Sequence, residues 1–453
     1  MQVDQTLDTA SLAPALEKTF ALAGEKAARL ARRWNPAEGA PVFTREGRYT
    51  ARGWTEWTQG FQFGCQLLAF EGTGDPDLFV SGKQNTLDYM APHLTHIGVH
   101  DHGFNTVSTY GNLRRLALEG LSADTPEEVA HYELAIKLSG AVQAARWTPL
   151  PDGRGFIHSF NGPHSLFSDT VRSLRVLVLA HDLGHALHGE NDRRFSLLDR
   201  AVRHLETTAS FNVYFGEGRD LYDVRGRVAH ESIFNTTDGC YRCPSTQQGY
   251  SPFSTWTRGL GWILLGAAEL LEYFEASDDE TLAKAGEPAA IRGLARDTAR
   301  ATADFYIDHT AADGIPYWDT GAPGIAQLGQ YQDRPAEPDN PHEPVDSSAA
   351  AISAQGLLRL GKALGDEGRR YWQAGLTVSR TLFAAPYLSE DADHEGLLLH
   401  SVYHRPNNWD HVPEGKAVPF GESSMWGDYH ALELALYLHR VATGRPYYTF
   451  FGA

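Results

Sequence analysis

The segment LEKTFALAGEKAARLARRW, residues 16–34, carries the clearest statement of the fold. Its apolar positions Leu16, Phe20, Ala23, Ala27, Leu30 and Trp34 recur at alternating steps of four and three. That spacing sets them on one face of an α-helix. The same period recurs outward along the chain, predicting helices near 56–73, 76–93, 103–119, 126–144, 168–188, 190–210, 254–274, 287–309, 345–365, 367–383 and 423–443. With the first, these make twelve. Gly72-Thr73-Gly74-Asp75-Pro76 closes one helix and opens the next, and Gly444 with Pro446 closes the last. Short links alternate with long connections rich in Gly, Pro and Asp, at 34–55, 145–165, 211–253, 310–344 and 385–422. A ring of helical hairpins has this layout, with the long loops building a site at one end. An open bundle or an α-solenoid also fits the helix count, which alone does not close the ring.

Composition narrows the function. A hydrophobic fraction of 42% with 11% aromatics fills a large core, and nothing forces a division of residues 1–453, so one domain is expected. With 39 Lys and Arg against 57 Asp and Glu, the net charge is −18, and no basic run offsets it. A nucleic acid would be repelled by that field. No segment reaches the roughly 18 apolar residues needed to span a bilayer, and Met1–Asp8 is polar and acidic, so neither a membrane nor an export signal is expected. Three cysteines suit a reducing, cytoplasmic compartment. Cys240 and Cys243 form a CxxC, which lacks the further ligands of a structural zinc site and reads as two ordinary thiols.

The long loops and the helix starts beside them are rich in Trp, Tyr, His, Asp and Gln. Trp54 and Trp57 precede Gly60-Phe61; His100-Asp101-His102-Gly103-Phe104 and Asp169 open helices; Gln248-Gly249-Tyr250, Trp256, Arg258 and Trp262 bracket another. Tyr317-Trp318-Asp319 and Trp426-Gly427-Asp428-Tyr429 complete the set. Aromatic faces among scattered hydrogen-bonding groups suit sugar rings, although large aromatics also simply pack a core. His181-Asp182-Leu183-Gly184-His185 has two histidines at zincin spacing, but Asp replaces Glu, a glycine interrupts and no third ligand is identified, so it reads as a helix end. His93, His96, His100 and His102 share no single face and read as packed or catalytic imidazoles rather than a metal site. Asp101 and Asp169 stand at helix starts, where aspartate is favoured as a cap whatever else it does.

These motifs together resemble the unsaturated glucuronyl hydrolases of glycoside hydrolase family 88 and, more distantly, the unsaturated rhamnogalacturonyl hydrolases of family 105. The resemblance runs from Trp57-Thr58-Gln59-Gly60-Phe61 through His100–Phe104, Asp169-Thr170, Gln248–Gly259, Asp313–Asp319 and Asp346–Ala351 to Gly427-Asp428-Tyr429, covering nearly the whole chain. It implies an all-α fold, an (α/α)6 barrel of twelve helices in six hairpins. It also implies a substrate class: di- or oligosaccharides left by polysaccharide lyases, with a 4,5-unsaturated uronic acid at the non-reducing end. No cofactor and no metal enter that chemistry.

The resemblance makes Asp169 the general acid/base and Asp101 its partner, tuning the proton and touching the sugar's 2-hydroxyl. A neighbouring carboxylate and burial are expected to raise the acid's pKa. Trp57, His100, Gln248, Trp256, Arg258 and Trp262 match positions lining the family's pocket, and Arg258 is expected to grip the substrate carboxylate with two hydrogen bonds. Three segments depart from the family pattern. Thr246-Gln247-Gln248-Gly249-Tyr250 has Gln247 where the family has histidine, Phe160-Asn161 replaces an aromatic–aspartate pair, and an Arg-Asp-Gly-Ser segment is not recognisable around Ser210–Val213, with extra residues to Arg227. These departures bear on substrate identity more than on the fold. A glycosidase or epimerase acting on saturated sugars, and a sugar-binding homologue without catalysis, are the other readings. The C-terminal Tyr447-Tyr448-Thr449-Phe450-Phe451 is expected to dock on the barrel or on a second subunit.

Overall fold

A computed structural model describes residues 1–53 and 56–452; the expected contribution of Trp54 lies outside them. Among the described residues twelve long helices alternate between an outer and an inner position. The outer six are α1 (Ala13–Arg33), α3 (Pro76–Tyr89), α5 (Pro126–Ala145), α7 (Leu197–Phe211), α9 (Pro288–His309) and α11 (Arg369–Leu382). The inner six are α2 (Gln59–Thr73), α4 (102–118), α6 (170–182), α8 (Thr257–Ala276), α10 (Ser347–Ala363) and α12 (Met425–Ala442). Each inner helix packs on the next, and α12 returns to α2, which closes the ring. The fold is the all-α barrel expected from the sequence.

Local chemistry explains the boundaries. Asp75 caps α3 with Pro76 in its first turn, and α2 stops at Gly74, which adopts φ 76°. A reciprocal capping box between Thr125 and Glu128 starts α5. Helix α8 is buried from Thr257 to Phe274, as a helix enclosed by neighbours must be. Two boundaries differ from the sequence reading. The 168–188 helix ends at Asp182, and the 190–210 helix starts only at Leu197, because Leu187–His188 and Arg194–Phe195 pair as a small antiparallel hairpin. Ser196, not a residue near 190, caps α7.

Five of the six inner helices are entered from a long connection and α4 from residues 90–101, and because inner and outer helices alternate, all six inner N-termini lie at one end of the barrel. Short strands stiffen these connections. Pro41–Arg45 pairs with Arg48–Ala51, Trp147–Pro149 with Gly155–Ile157, and Ser165–Phe167, Glu231–Phe234 and Tyr241–Ser245 form a three-stranded sheet in that order. The 211–253 connection therefore folds back on the loop that delivers Asp169.

The opposite end is closed. Arg172, in the first turn of α6, reaches toward it to hold Glu269 at 2.8 Å and Glu433 at 2.7 Å, and Arg359, in the second half of α10, holds Glu272 at 2.7 Å, all inside the ring. Burial raises Glu269 and Glu272 to about 7, and the arginines beside them oppose that shift. The C-terminal segment plugs this end: Tyr448 and Phe450 are buried, Arg359 donates to the Tyr448 carbonyl at 3.0 Å, and Arg115 lies 4.9 Å over the Tyr448 ring. Of the two fates expected for this tail, the structure shows docking on its own barrel. No helix of the described residues is long and apolar enough to cross a membrane.

Candidate active site

Two close helix contacts build the centre of the open end. Gly60 donates its N–H to Asn105 Oδ1 at 2.9 Å, and a Cβ there would meet Asn105 Cα at 2.6 Å, so only glycine lets α2 approach α4 this closely. Gly103 likewise donates to Ser173 Oγ at 2.8 Å, and a side chain on it would collide with the Ser173 backbone. Ser173 Oγ in turn donates to the His100 carbonyl at 2.9 Å. The starts of α4 and α6 are thereby locked together, and with them Asp101 and Asp169.

Both aspartates occupy the N-cap position of their helix, yet neither side chain makes a capping hydrogen bond. Asp346, at the start of α10, shows the contrast: its carboxylate accepts from Ser348 N at 3.1 Å and Ala349 N at 3.4 Å. Capping therefore accounts for Asp346 and not for Asp101 or Asp169. Their carboxylates turn instead toward His100. Its Nε2 lies 3.1 Å from Asp169 Oδ1 and 3.9 Å from Asp101 Oδ1. All three residues are buried, Asp101 at 7%, Asp169 at 8% and His100 at 1% relative exposure.

Burial pushes the Asp101 carboxyl above its ordinary pKa; His100 opposes that shift and the Asp169 charge adds to it. For Asp169 burial acts in the same direction, but the His100 charge and hydrogen bond outweigh it and hold the group below its ordinary value. The sequence reading expected the raised value at Asp169. The structure reverses the two carboxyls because the imidazole sits closer to Asp169.

One cleft of about 620 Å³ contains all eight residues singled out from the sequence: Trp57, His100, Asp101, Asp169, Gln248, Trp256, Arg258 and Trp262. They do not stand in it equally. Trp256 and Trp262 are almost wholly buried, so they serve first as packing. Trp57 is half-buried and stacks on Trp426 with centroids 5.1 Å apart. Arg258 departs from its expected use. Its Nη1 donates to Asp346 Oδ2 at 3.1 Å and to the Val402 carbonyl; its Nη2 donates to Gln248 Oε1 at 3.0 Å and the Tyr403 carbonyl at 2.7 Å. All four terminal N–H donors are taken by protein, so in this structure Arg258 frames the cleft and aims Gln248, whereas the sequence reading expected a two-bond grip on a substrate carboxylate.

Tyr317-Trp318-Asp319 also frames rather than lines the cleft. The Trp318 carbonyl accepts from Thr257 N at 3.0 Å, and Asp319 accepts from Tyr250 N at 2.8 Å. Asp428 lies outside the cleft and accepts from Tyr49 Oη and the amides of Leu397 and Leu398. At the departures from the family pattern, Gln247 and Phe160 face the cleft, while Asn161 donates to Glu231 at 3.1 Å.

Sequence reading missed the cleft's other wall: Tyr403, His404 and Trp409, from the 385–422 loop. Their aromatic and imidazole side chains in a Pro/Asn-rich stretch were the available signal. It also missed His230, whose Nδ1 accepts from the amides of Gln247 and Gln248 at 3.0 and 3.3 Å. Among the described residues no three His, Cys, Asp or Glu side chains converge as metal ligands. Asp182 of the zincin-like stretch accepts from Tyr273 Oη at 2.6 Å, and Cys240 and Cys243 are exposed free thiols.

No protein-family model matches the chain. It is 26% identical over 385 residues to an unsaturated glucuronyl hydrolase of Formosa agariphila, covering 83% of this chain and 78% of that one. It is 25% identical over 405 residues to an unsaturated chondroitin disaccharide hydrolase of Streptococcus pyogenes, covering 88% and 84%. An unsaturated glucuronyl hydrolase of Bacillus sp. (strain GL1) is 25% identical over 417 residues, covering 88% and 90%. The crystal structure of an unsaturated glucuronyl hydrolase from Bacillus sp. GL1 superposes with a TM-score of 0.70 at 22% identity, over 95% of this chain and 98% of that one.

Proposed function

We infer that this chain, a relative of the unsaturated glucuronyl hydrolases, is a glycoside hydrolase acting on oligosaccharides that end in a 4,5-unsaturated uronic acid. The observation that carries the reading is the pair of buried aspartates that decline their helix caps and converge on one imidazole inside an aromatic-walled cleft. Residues 1–453 are read as one catalytic domain, and the three free cysteines support a cytoplasmic location.

The chemistry follows from the substrate. Its C4=C5 bond is an enol ether, so a proton added to C4 leaves a cation at C5 that the ring oxygen stabilises. Water adds at C5, giving a hemiketal whose opening expels the glycosyl partner. Since nothing attacks the anomeric carbon, carboxylate spacing carries no message of retention or inversion. Asp169 is the acid that supplies the proton and then the base that receives one from water. Asp101, neutral more readily than an ordinary carboxyl, suits a hydrogen bond to the 2-hydroxyl. Trp57 offers an apolar face to the sugar ring, and Gln248, held by Arg258, offers its amide nitrogen. Residues at or beside the N-termini of α2, α4, α6 and α8 line the cleft, a setting that favours an anionic uronate.

The test is loss of the ultraviolet absorbance of unsaturated uronyl disaccharides. Turnover by the wild type and none by Asp169→Asn supports the reading. Absence of turnover on glucuronyl, galacturonyl and ulvan-derived substrates alike rejects it.

A further inference from the structure

We propose that His100 is a positioning residue that stores on Nε2 the proton that Asp169 delivers, making imidazole and carboxylate one proton-holding pair. The proposal rests on the proposed function for its kinetic consequences, while the pairing itself can be measured without turnover.

The geometry gives the ring one hydrogen-bonding task. Nε2 reaches Asp169 Oδ1 at 3.1 Å, whereas Nδ1 has no hydrogen-bond partner among the described residues. Phe160 lies alongside the ring at 5.8 Å, and Phe167 meets it edge-on at 5.6 Å. The backbone behind it is tied to Ser173. A ring so enclosed keeps its Nε2–Oδ1 contact rather than exchanging it for water.

The surrounding charges favour a proton at this position. Burial alone would lower the His100 pKa, but Asp101 and then Asp169 outweigh it and raise the value, with Arg146 opposing. His158, His204 and His230 also lie within electrostatic reach, and burial lowers them to about 4, about 3 and about 4. They are neutral near neutral pH and leave the field to Asp101, Asp169 and Arg146. Asp169 alone, with an ordinary carboxyl pKa, would be almost entirely ionised there and unable to act as an acid. Paired with His100, it has a proton one hydrogen bond away. When the proton crosses, the Nε2–H bond breaks, the Oδ1–H bond forms, and a neutral imidazole remains. Asp169 then passes the proton to C4, recovers one from the water that adds at C5, and returns it to Nε2.

The pair therefore titrates as a unit, and its alkaline limit belongs to the imidazole. In His100→Gln the alkaline limb of kcat/KM falls back to a carboxyl's. The ratio of activity at about pH 5.5 to that at about pH 7.5 rises roughly tenfold or more over wild type. A merely structural histidine would lower activity by one factor at every pH, and such a profile overturns the proposal. The second measurement is an NMR titration of the His100 ring, assigned by its absence in His100→Gln, in wild type and Asp169→Asn. A lower midpoint in Asp169→Asn is expected, and an unchanged midpoint overturns the pairing. Failure of the wild type to turn over any unsaturated uronide counts against the proposed function, and the titration still decides the pairing.

Discussion

Gly103 and Ser173 meet backbone to side chain, the Gly103 N–H donating to Ser173 Oγ at 2.8 Å, where the helices carrying Asp101 and Asp169 touch. A Cβ on Gly103 would collide with the Ser173 carbonyl. Gly103→Ala is therefore expected to spread the two helix starts, costing about 1–3 kcal/mol of stability. A displacement near 1 Å at the reacting groups costs about 100-fold in kcat. Thermal melting and steady-state kinetics together check this; a variant with wild-type kcat would show that the contact does not set the aspartates' geometry.

Asp169→Asn removes the acid while keeping its shape. Turnover is expected to fall by about 10²–10⁴-fold, with disaccharide affinity nearly unchanged. Calorimetric titration against the absorbance assay separates the two. Equal loss of binding and turnover would assign Asp169 to substrate binding instead.

Arg258→Met leaves Asp346 buried without its cation, at 0% exposure. Removing one partner of a buried pair costs about 3–5 kcal/mol, and Gln248 loses its anchor as well. A lowered urea midpoint with a raised KM is the expected combination. If stability is unchanged and only KM rises, Arg258 binds substrate directly after all.

The plug at the closed end is testable without touching the cleft. Tyr448→Ala is expected to lose about 3–5 kcal/mol, as truncations of buried aromatic residues do, with KM unaltered. A change in KM would mean that the closed end communicates with the cleft.

Acid should destabilise the protein early. His204 accepts from Ile157 N at 3.0 Å and His230 accepts from Gln247 N, both through Nδ1, and burial lowers them to about 3 and about 4. Unfolded, these imidazoles titrate near 6.5. Between that value and the folded one the unfolded state binds more protons, so stability is complete above about pH 6.5 and falls as pH drops toward 4. The urea midpoint measured between about pH 7 and 5 should decline, and His204→Gln should flatten the decline by about one proton. A decline as steep in His204→Gln as in the wild type would mean that this imidazole is not held neutral.

Much of this was legible in the chain alone. Spacing such as Leu16, Phe20, Ala23 specifies a helix and the face it buries, and the Gly74-Asp75-Pro76 junction ends one helix and begins the next through purely local chemistry. Periodicity does not name the partner of that face. Lys26, a polar residue of α1, is buried because its ammonium reaches the carbonyls of Asp391 and His394, which ring closure brings beside it.

The sequence by itself determined the twelve helices, the long loops that enter the inner ones, and the presence of aspartates at two helix starts. Tertiary structure alone decided what those aspartates do with their carboxylates, because a cap and a site residue are the same letter until the distant partner is in place. It also decided that Arg258 spends its donors on Asp346, Gln248 and the 402–403 backbone, and that Tyr403 and Trp409 wall the cleft. Helix periods and caps arise between residues a few positions apart. The pairing of His100 with Asp169 and the hold of Arg258 on the Tyr403 carbonyl join residues 69 and 145 positions apart, and only closure of the ring brings them within reach.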